Sequence, residues 1–423
     1  MSKIAVIGTG YVGLTSGACF AHVGHDVVCA DIDADKVARL SRGEVPILEA
    51  GLDNLVREGI DGGRLSFVVG AAKAVADCEF AFLCVPTPQG EDGSADLSYI
   101  EAAAREIGPV LPSEAIVVNK STVPVGSTRV VERALQRSDV SVVSNPEFLR
   151  EGSAIHDFLN PDRIVIGAED QDAAVRVSSL YLGITAPVIV TDPASAETIK
   201  YAANAFLATK ISFINAVAAV CEAVGADIKD VSLGMGYDSR IGHEFLKPGP
   251  GWGGSCFPKD TRAMVRIAED AGYDFNLLKG VVTVNDEQLN RVADKIVELA
   301  GGSVDGKRIG AWGLTFKART DDLRESPALA IIERLVARGA EVRGYDPSQP
   351  GSIEGLEVVD DPYAAVEGAE VLAVLTEWDE FRWLDADKVA ELMAAKKVVD
   401  ARNLLDRAAY VRRGFDYLGI GRA

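Results

Sequence analysis

Three glycines near the N-terminus restrict the fold of this chain more than any other feature. Gly8, Gly10 and Gly13 follow a short apolar run and precede a helical pattern, and a second apolar run ends at Asp31. Strand, glycine turn, helix, and strand with a terminal acid, in this order, predict a dinucleotide-binding βαβ unit. The glycines would let a pyrophosphate approach the helix N-terminus. Asp31 would bind ribose hydroxyls and repel a 2′-phosphate, which favours NAD over NADP.

The rest of the chain repeats this alternation on both sides of one long apolar helix. Strands are predicted over residues 80–85, 115–119 and 140–144, and a second alternation starts near residue 306 without a glycine fingerprint. Apolar residues recur at helical spacing over about residues 193–225. The predicted fold class is α/β, with two Rossmann-like parallel-sheet domains joined by a long central helix and helical region.

The length of the chain suggests two or three domains. A chain of 423 residues exceeds what one hydrophobic core supports. We predict three parts, at residues 1–192, 193–298 and 299–423, with the boundaries at the two ends of the central helical region.

Composition and charge argue against several partners and mechanisms. The formal net charge of −20 and the pI near 4.7 disfavour binding to nucleic acid or to an anionic membrane. The six cysteines contain no C-x-x-C pair, and the four histidines have no metal-binding spacing. We therefore predict a cytoplasmic protein without a metal. We also predict no signal peptide, and a core helix rather than a membrane span, because polar residues interrupt the long apolar helix.

One cysteine lies where a thiol can become a nucleophile. Cys256 follows Gly253 and Gly254 and directly precedes a helix predicted over residues 259–271. The positive end of the helix dipole and the nearby Lys259 would both favour the thiolate. A buried structural cysteine is the alternative interpretation. The glycines leave the backbone open to a ligand, which favours the nucleophile.

Polar residues at two other places interrupt apolar surroundings. Lys200 and Asn204 lie four residues apart, hence on one face of the long helix, and Glu147 and Glu151 follow a predicted strand. A snorkelling lysine, a capped asparagine and two solvated carboxylates are the alternatives. The loops after the C-terminal strands carry the cations Lys317, Arg319, Arg324 and Arg402. Cations at those positions suit a phosphorylated ligand.

Together these motifs resemble the UDP-glucose/GDP-mannose dehydrogenase family over residues 8–402, nearly the whole chain. The most specific segments are Lys120-Ser-Thr-Val-Pro, Asn145-Pro-Glu-Phe-Leu-Arg-Glu-Gly, the Lys200/Asn204 pair and Gly253-Gly-Ser-Cys-Phe-Pro-Lys-Asp260. The resemblance implies an N-terminal NAD domain and a central helical region that forms a homodimer or higher homo-oligomer and carries the cysteine loop. It implies a C-terminal domain that binds the nucleotide of a UDP-sugar.

The resemblance also implies the reaction, a four-electron oxidation of a sugar C6 alcohol to a carboxylate with two NAD. A thiolate is needed because simple alcohol oxidation stops at the aldehyde. Cys256 would add to that aldehyde, and the thiohemiacetal would then be oxidised to a thioester that water hydrolyses.

The same resemblance assigns the proton-transfer roles. Lys200 and Asn204 would stabilise developing oxyanions or handle the alcohol proton. Asp260 would position or activate water with Thr122, and Glu147 would be the general acid/base of hydrolysis. Whether Lys200 or Asp260 takes the first proton stays open.

Two sets of binding residues are carried over by resemblance. Those expected to bind NAD are Gly8, Gly10, Tyr11, Val12, Gly13, Asp31, Lys36, Thr87, Thr122, Glu151, Lys259 and Arg324. Those expected to bind the sugar nucleotide are Glu147, Phe148, Leu149, Arg150, Glu151, Lys200, Asn204, Arg240, Phe245, Leu246, Lys247, Gly253, Phe316, Lys317 and Arg402. Arg240 is also expected to reach the site of a neighbouring subunit.

The segment at residues 239–251 looks most like the UDP-glucose branch of the family, so UDP-glucose is the favoured substrate. GDP-mannose, UDP-galactose and UDP-N-acetylhexosamines stay open, because selection of base and C2 substituent depends on loop shape. A two-electron hydroxyacid dehydrogenase of the 6-phosphogluconate type shares the NAD domain and the long helix but has no use for Cys256. A non-catalytic sensor predicts the loss of a catalytic side chain, and none is missing.

Overall fold

A computed structural model of the chain describes residues 1–90, 95–348 and 351–422. The chain folds into two compact units. Unit 1 comprises Met1–Ala203 and Arg262–Ala271, and unit 2 comprises Asn204–Thr261 and Gly272–Ala423. The predicted boundaries near residues 192 and 298 stay a prediction, because the division into two compact units does not test a division into three domains.

Unit 1 is an eight-stranded sheet with helices on both faces. Its strands are β1 (Lys3–Ile7), β2 (Asp26–Asp31), β3 (Leu65–Val69), β4 (Phe80–Leu83), β5 (Ile116–Asn119), β6 (Ser141–Ser144), β7 (Ile164–Gly167) and β8 (Val188–Thr191). Its helices are α1 (Tyr11–His22), α2 (Ala34–Ser41), α3 (Leu52–Asp61), α4 (Ala71–Val75), α5 (Ser98–Ile107), α6 (Ser127–Leu135), α7 (Ala154–Leu159), α8 (Gln171–Ser179) and the first part of α9 (Pro193–Val224). The strand order is β3-β2-β1-β4-β5-β6-β7-β8.

The sheet of unit 1 changes direction once. Strands β1 to β6 run parallel, which confirms the predicted parallel sheet. Strand β7 pairs antiparallel with β6, and β8 runs parallel to β7. The connection from β6 to β7 holds the loop with Glu147 and only the six-residue helix α7, instead of a full crossover helix.

The centre of this sheet is buried on both faces. In β1, Ile4 and Val6 pack into one apolar layer, and Ala5 and Ile7 pack into the other. A sheet covered on both sides leaves its strand ends as the places where a ligand can approach. The carboxyl ends of β1, β2, β4 and β5 lie at the same edge, and the loops after them carry the predicted cofactor residues.

Unit 2 repeats the doubly wound plan with six strands. Its helices are the rest of α9, α10 (Ile228–Gly236), α11 (Phe257–Asp270, whose last residues belong to unit 1), α12 (Asn276–Leu299), α13 (Pro327–Val336), α14 (Pro362–Val366), α15 (Ala386–Leu392) and α16 (Arg407–Arg412). Its strands are β9 (Arg308–Trp312), β10 (Glu341–Tyr345), β11 (Glu357–Val359), β12 (Val371–Val374), β13 (Lys397–Asp400) and β14 (Asp416–Gly419). The order β11-β10-β9-β12-β13-β14 is all parallel and matches the relative order of β1 to β6. This confirms the second Rossmann-like domain.

Helix α9 carries an apolar surface. Among the described residues it is the one helix that is long and apolar enough to cross a membrane, a test that core helices of globular proteins also pass. Only 33% of its most apolar window is buried. Phe206, Phe213 and Val220, all more than half exposed, recur every seven residues and form a stripe along one face.

Candidate active site

The glycine turn after β1 has the geometry of a phosphate-binding turn. Gly8 has φ +96°, and a Cβ on it would lie 2.6 Å from the carbonyl oxygen of Cys84. A Cβ on Gly13 would lie 1.9 Å from the Gly8 oxygen, whereas one on Gly10 would meet nothing within 4 Å. Helix α1 starts at Tyr11 without a side-chain cap. The turn therefore packs tightly on its inner side and offers backbone N–H groups on its open side, which fits a pyrophosphate.

Asp31, the last residue of β2, is held as a carboxylate. Its side chain accepts hydrogen bonds from the backbone N–H groups of Thr9 and Asp33, both at 3.1 Å, and from Lys36 Nζ at 3.1 Å. Burial alone would raise the pKa of Asp31, but a hydrogen bond from the Thr9 hydroxyl, together with these backbone N–H groups and Lys36, lowers it to about 2. An ionised acid fixed beside the glycine turn fits an adenosine ribose. Lys36, which is also expected to bind NAD, contacts this carboxylate, and its role toward the cofactor stays a prediction.

Two further predicted residues meet at adjacent strand ends. The hydroxyl of Thr87, after β4, donates to the backbone oxygen of Thr122, after β5, at 2.9 Å. The loop that follows Thr122 is held by Glu197 of α9, which is 2% exposed and accepts from the N–H groups of Gly126 at 2.6 Å and Thr128 at 3.0 Å. Glu197 therefore fixes the start of α6 and the Thr122 loop, a role that the sequence analysis missed.

Glu147 and Lys200 form a buried ion pair. Lys200 Nζ lies 2.9 Å from Glu147 Oε1, and each side chain is 5% exposed. Glu147 Oε2 also accepts from the backbone N–H of Leu149 at 2.6 Å. Burial would raise the pKa of Glu147, but the charge and hydrogen bond of Lys200, the Leu149 N–H and the charge of Lys120 together hold the pKa below its usual range. The two predicted proton-transfer residues of unit 1 are thus in direct contact.

The loop after Glu147 is anchored at several points. Phe148 lies under the guanidinium of Arg163, 3.5 Å from the ring centre. Arg150, a predicted substrate ligand, donates its Nε to Asp157 at 3.0 Å. Its backbone N–H donates to the same carboxylate at 2.8 Å. Arg150 therefore contributes to the local structure of the loop, and its role toward the substrate stays a prediction.

Glu49 anchors the far end of this loop and was not found from the sequence. It is 6% exposed and accepts from the N–H groups of Gly152 at 2.7 Å and Ala154 at 2.8 Å, and from the Tyr11 hydroxyl. Burial, followed by the Glu49 hydrogen bond, raises the pKa of Tyr11. Glu151 lies on the loop that Glu49 anchors through Gly152 and Ala154. Glu49 does not directly follow a strand and belongs to no recognisable motif, so only the folded structure shows that it anchors this loop.

Cys256, in unit 2, lies at a helix start, as predicted. Cys256 directly precedes α11, and its backbone oxygen accepts from the N–H of Asp260 at 2.8 Å. Its Sγ lies 3.6 Å from Ser255 Oγ. Asp260 is fully buried and accepts from Asn204 Nδ2 and Lys259 Nζ, both at 2.6 Å. The amine of Lys259, expected to favour the thiolate, is therefore bonded to Asp260.

The segment before Gly253 and Gly254 is held in place by contacts within unit 2. Gly249 donates its N–H to Asn215 Oδ1 at 2.9 Å. Phe245 has φ +61°, an unusual conformation for a bulky residue. Leu246 is 3% exposed and belongs to the core of unit 2, whereas Lys247 is exposed. The predicted contact of Leu246 with substrate would have to come from its backbone.

The two glycines before Cys256 are needed for close packing. A Cβ on Gly253 would lie 1.9 Å from the carbonyl oxygen of Glu325. Gly254 has φ +83°, and a Cβ there would lie within 2.9 Å of three atoms of the Phe316 ring. Any side chain at either position would displace the loop. Phe316 is thereby placed next to the cysteine loop within unit 2.

The loops after β9 and β13 each carry a cation, and the two loops contact each other. Arg402 donates Nε to the Leu375 oxygen at 2.9 Å and Nη2 to the Phe316 oxygen at 3.1 Å, and it pairs with Glu377 at 3.0 Å. Lys317 Nζ lies 5.4 Å from the centre of the Phe316 ring. These residues follow the carboxyl ends of parallel strands, where α/β sheets bind their ligands.

Two predicted arginines are exposed and bound to neighbours in the sequence. Arg240 pairs with Asp238, with its side chain 86% exposed, and Arg324 pairs with Asp322, with its side chain 66% exposed. Exposure of Arg240 agrees with the expected reach to another subunit but does not test it.

The predicted site residues are divided between the two units. Unit 1 holds Gly8, Gly10, Tyr11, Val12, Gly13, Asp31, Lys36, Thr87, Thr122, Glu147, Phe148, Leu149, Arg150, Glu151 and Lys200, and unit 2 holds Asn204, Arg240, Phe245, Leu246, Lys247, Gly253, Cys256, Lys259, Asp260, Phe316, Lys317, Arg324 and Arg402. Within residues 1–90, 95–348 and 351–422, no group of three or more histidine, cysteine or acidic side chains could hold a metal ion.

Comparison with known proteins identifies the family. Three profiles of the UDP-glucose/GDP-mannose dehydrogenase family match the chain: the NAD binding domain at residues 2–185, the central domain at 194–287 and the UDP binding domain at 310–407. The chain belongs to the UDP-glucose/GDP-mannose dehydrogenase family. The family resemblance, the α/β fold class, NAD as the cofactor and the dehydrogenase class of enzyme are therefore confirmed.

Individual members of the family lie close to this chain. UDP-glucose 6-dehydrogenase of Rhizobium meliloti (strain 1021) is 48% identical over 99% of both chains. The solved structure of a UDP-glucose dehydrogenase from Pyrobaculum islandicum has a TM-score of 0.92 and 40% identity, and the match covers 100% of this chain and 98% of that one. UDP-D-ManNAc dehydrogenase from Pyrococcus horikoshii has a TM-score of 0.88 and 28% identity, and the match covers 99% of both chains.

Replacing Asp31 by alanine should raise the Kd for NAD⁺ by about 10- to 100-fold, because a charged acceptor for ribose hydroxyls is lost. Binding of UDP-glucose should change less than about twofold, since Asp31 is the last residue of a strand in the NAD-binding domain. Isothermal titration calorimetry with each ligand measures both. Asp33→Asn, which keeps a side-chain cap on α2, is the matched control. An equal loss of both ligands would indicate damaged folding instead.

Proposed function

We propose that this protein is an NAD-dependent UDP-glucose 6-dehydrogenase that oxidises UDP-glucose to UDP-glucuronate. The observation that carries the proposal is the thiol of Cys256 at the start of α11, in a loop whose Gly253 and Gly254 leave no room for a side chain at either position. A nucleophile in a dehydrogenase has a purpose only when oxidation continues past the aldehyde. NAD⁺, when bound, would supply the hydride acceptor for each of the two oxidations.

The chemistry assigned to Cys256 is covalent. Its thiolate adds to the C6 aldehyde and forms a C–S bond, and the resulting thiohemiacetal alkoxide takes a proton. Loss of a hydride and a proton from the thiohemiacetal gives a thioester. Attack of water on the thioester carbon releases UDP-glucuronate and returns the thiolate.

Other side chains are assigned to proton transfer and charge stabilisation. Lys200 and Asn204 are assigned to the oxyanions at C6, as N–H donors on one helix face. Glu147, an ionised acid, is assigned as the base that activates water for hydrolysis. Asp260, bonded to Asn204 and Lys259, is assigned to water together with Thr122.

UDP-glucose is favoured over other nucleotide sugars by sequence similarity. The relatives named for UDP-glucose share 48% and 40% identity with this chain, against 28% for the one named for UDP-D-ManNAc. The UDP moiety is assigned to the loops with Phe316, Lys317 and Arg402.

The deciding experiment counts NADH. Purified protein is mixed with excess NAD⁺ and limiting UDP-glucose, and NADH and UDP-glucuronate are quantified together. We expect two NADH for each UDP-glucose consumed. One NADH with release of aldehyde would refute the role of Cys256. No NADH with UDP-glucose, but turnover with GDP-mannose or a UDP-N-acetylhexosamine, would reassign the substrate within the family.

We further propose that the protein is cytoplasmic and forms a homodimer or higher homo-oligomer. Its subunits would meet along α9, which lies in the central one of the three domains predicted from the sequence. The apolar stripe of Phe206, Phe213 and Val220 supports a protein partner, since exposed apolar side chains that recur along one face of a helix are typical of an interaction surface. None of the described cysteines is in a disulfide, which suits a reducing compartment.

Substituting glutamate for both Phe206 and Phe213 should convert the assembly to monomers, because like charges would face each other across an apolar interface. Sedimentation velocity measures the shift. Leu182→Glu, at a side chain 78% exposed in unit 1, is the control and should leave the assembly intact. A wild-type protein that sediments as a monomer would contradict the proposal, and co-flotation of the wild type with lipid vesicles would favour a membrane as the cover of α9.

A further inference from the structure

Unit 1 buries a lysine that has no role in the chemistry above. Lys120, directly after β5, is 5% exposed, and its Nζ donates to Asn145 Oδ1 at 3.1 Å and to the Tyr181 hydroxyl at 3.3 Å. In the described part of the chain it forms no ion pair with a carboxylate. Burial lowers its pKa to about 8. Near neutral pH Lys120 is thus a mostly protonated ammonium held by neutral groups.

The partners of Lys120 fix the loop that carries Glu147. The Tyr181 hydroxyl donates to Asn145 Oδ1 at 2.5 Å, and Asn145 Nδ2 donates to the Val165 oxygen of β7 at 2.8 Å. The Asn145 side chain therefore joins Lys120, Tyr181 and β7. Asn145 precedes Glu147 by two residues, so this cluster sets where the loop leaves β6.

The charge of Lys120 acts on the same pair of residues. Its positive charge attracts the carboxylate of Glu147 and repels the ammonium of Lys200. The other titratable groups beside it are the thiol of Cys84 and the hydroxyl of Tyr181. A buried ammonium without an ion pair is costly, and a neutral donor could make the same hydrogen bonds. The charge therefore needs an explanation that hydrogen bonding to Asn145 does not provide.

We propose that Lys120 is a positioning residue, which supplies a fixed second positive charge that keeps Glu147 ionised when Lys200 turns from Glu147 to the substrate. The inference rests on the roles proposed for Glu147 and Lys200. Lys200 is the direct partner of Glu147, and a carboxylate that is 5% exposed would lose its contact cation when Lys200 moves. Lys120 is held by Asn145 and Tyr181, and its charge stays in place through that step.

The first test is the pH dependence of kcat. Lys120→Met should move the acid limb of the pH profile up by about one pH unit, because loss of a nearby positive charge raises the pKa of a carboxylate. Lys120→Arg should keep the limb in place, and so should Tyr181→Phe, which removes a hydrogen bond but no charge. A Lys120→Met enzyme that is uniformly slower with an unmoved limb would overturn the proposal. If both Lys120→Met and Lys120→Gln fail to fold while Lys120→Arg folds, the charge serves folding and the proposal is also overturned.

The second test needs no substrate, so it separates this inference from the proposed activity. Thermal unfolding midpoints at pH 7 are compared for wild type, Lys120→Met, Glu147→Gln and the double variant. The decrease caused by Lys120→Met should be at least halved in the Glu147→Gln background, since the attraction is then absent. Equal decreases in both backgrounds would show that the two charges are not coupled. Coupling without NADH formation from UDP-glucose would instead leave Lys120 supported and refute the proposed substrate.

Discussion

Cys256→Ser should lower the rate of UDP-glucuronate formation by at least about 10³-fold, with the first oxidation retained. A serine hydroxyl is much less acidic and less nucleophilic than a cysteine thiol, so the aldehyde would form and no acyl intermediate would follow. The variant should yield at most one NADH per sugar. Rapid-quench chromatography of UDP-sugars, with borodeuteride to trap the aldehyde as a labelled alcohol, measures both products.

A control for this substitution is available within unit 2. Cys221 is a free cysteine, 3% exposed in the apolar core, and Cys221→Ala should leave the yield of two NADH unchanged. Normal UDP-glucuronate formation by Cys256→Ser would remove the covalent intermediate from the mechanism. Loss of both oxidations in Cys256→Ser, with a normal unfolding midpoint, would instead assign Cys256 to substrate binding.

The parts of the fold that follow from local physics could be predicted from the sequence. The glycines at 8, 10 and 13 fixed the first βαβ unit, because the close approaches found at Gly8 and Gly13 exclude any side chain. Asp31 ends β2 as expected, since its position depends only on the local strand pattern. The helix after Cys256 was also predictable, starting two residues earlier than expected, at Phe257.

The parts that depend on contacts between distant segments could not be predicted. Glu49 reaches Gly152 across 103 residues, and Glu197 reaches the α6 start across about 70, with no local pattern around either acid. The reversal at β7 is decided by the whole β6–β7 connection, which apolar runs do not show. The bond from the Lys259 amine to Asp260 was likewise not predicted, because residue spacing does not show the direction of a side chain.

Lys200→Met should have the largest combined effect on activity and stability. It removes an N–H donor assigned to the oxyanions, so kcat should decrease by about 10²- to 10³-fold. It also leaves the Glu147 carboxylate buried without its ion-pair partner, which costs about 3–5 kcal/mol in comparable buried pairs. Both side chains are 5% exposed, so solvent cannot replace the lost contact.

The double variant Lys200→Met/Glu147→Gln separates the two effects. It removes both charges, so the unfolding midpoint should recover most of the loss while activity stays low. The pH dependence has a definite sign. The folded pKa of Glu147 lies below its ordinary value, so the pair stabilises the protein above pH about 4.3 and loses its contribution as the pH falls through the folded pKa. The difference in midpoint between wild type and the double variant should therefore shrink in acid. A double variant no more stable than Lys200→Met would show that the cost lies in packing around residue 200 and not in the unpaired carboxylate.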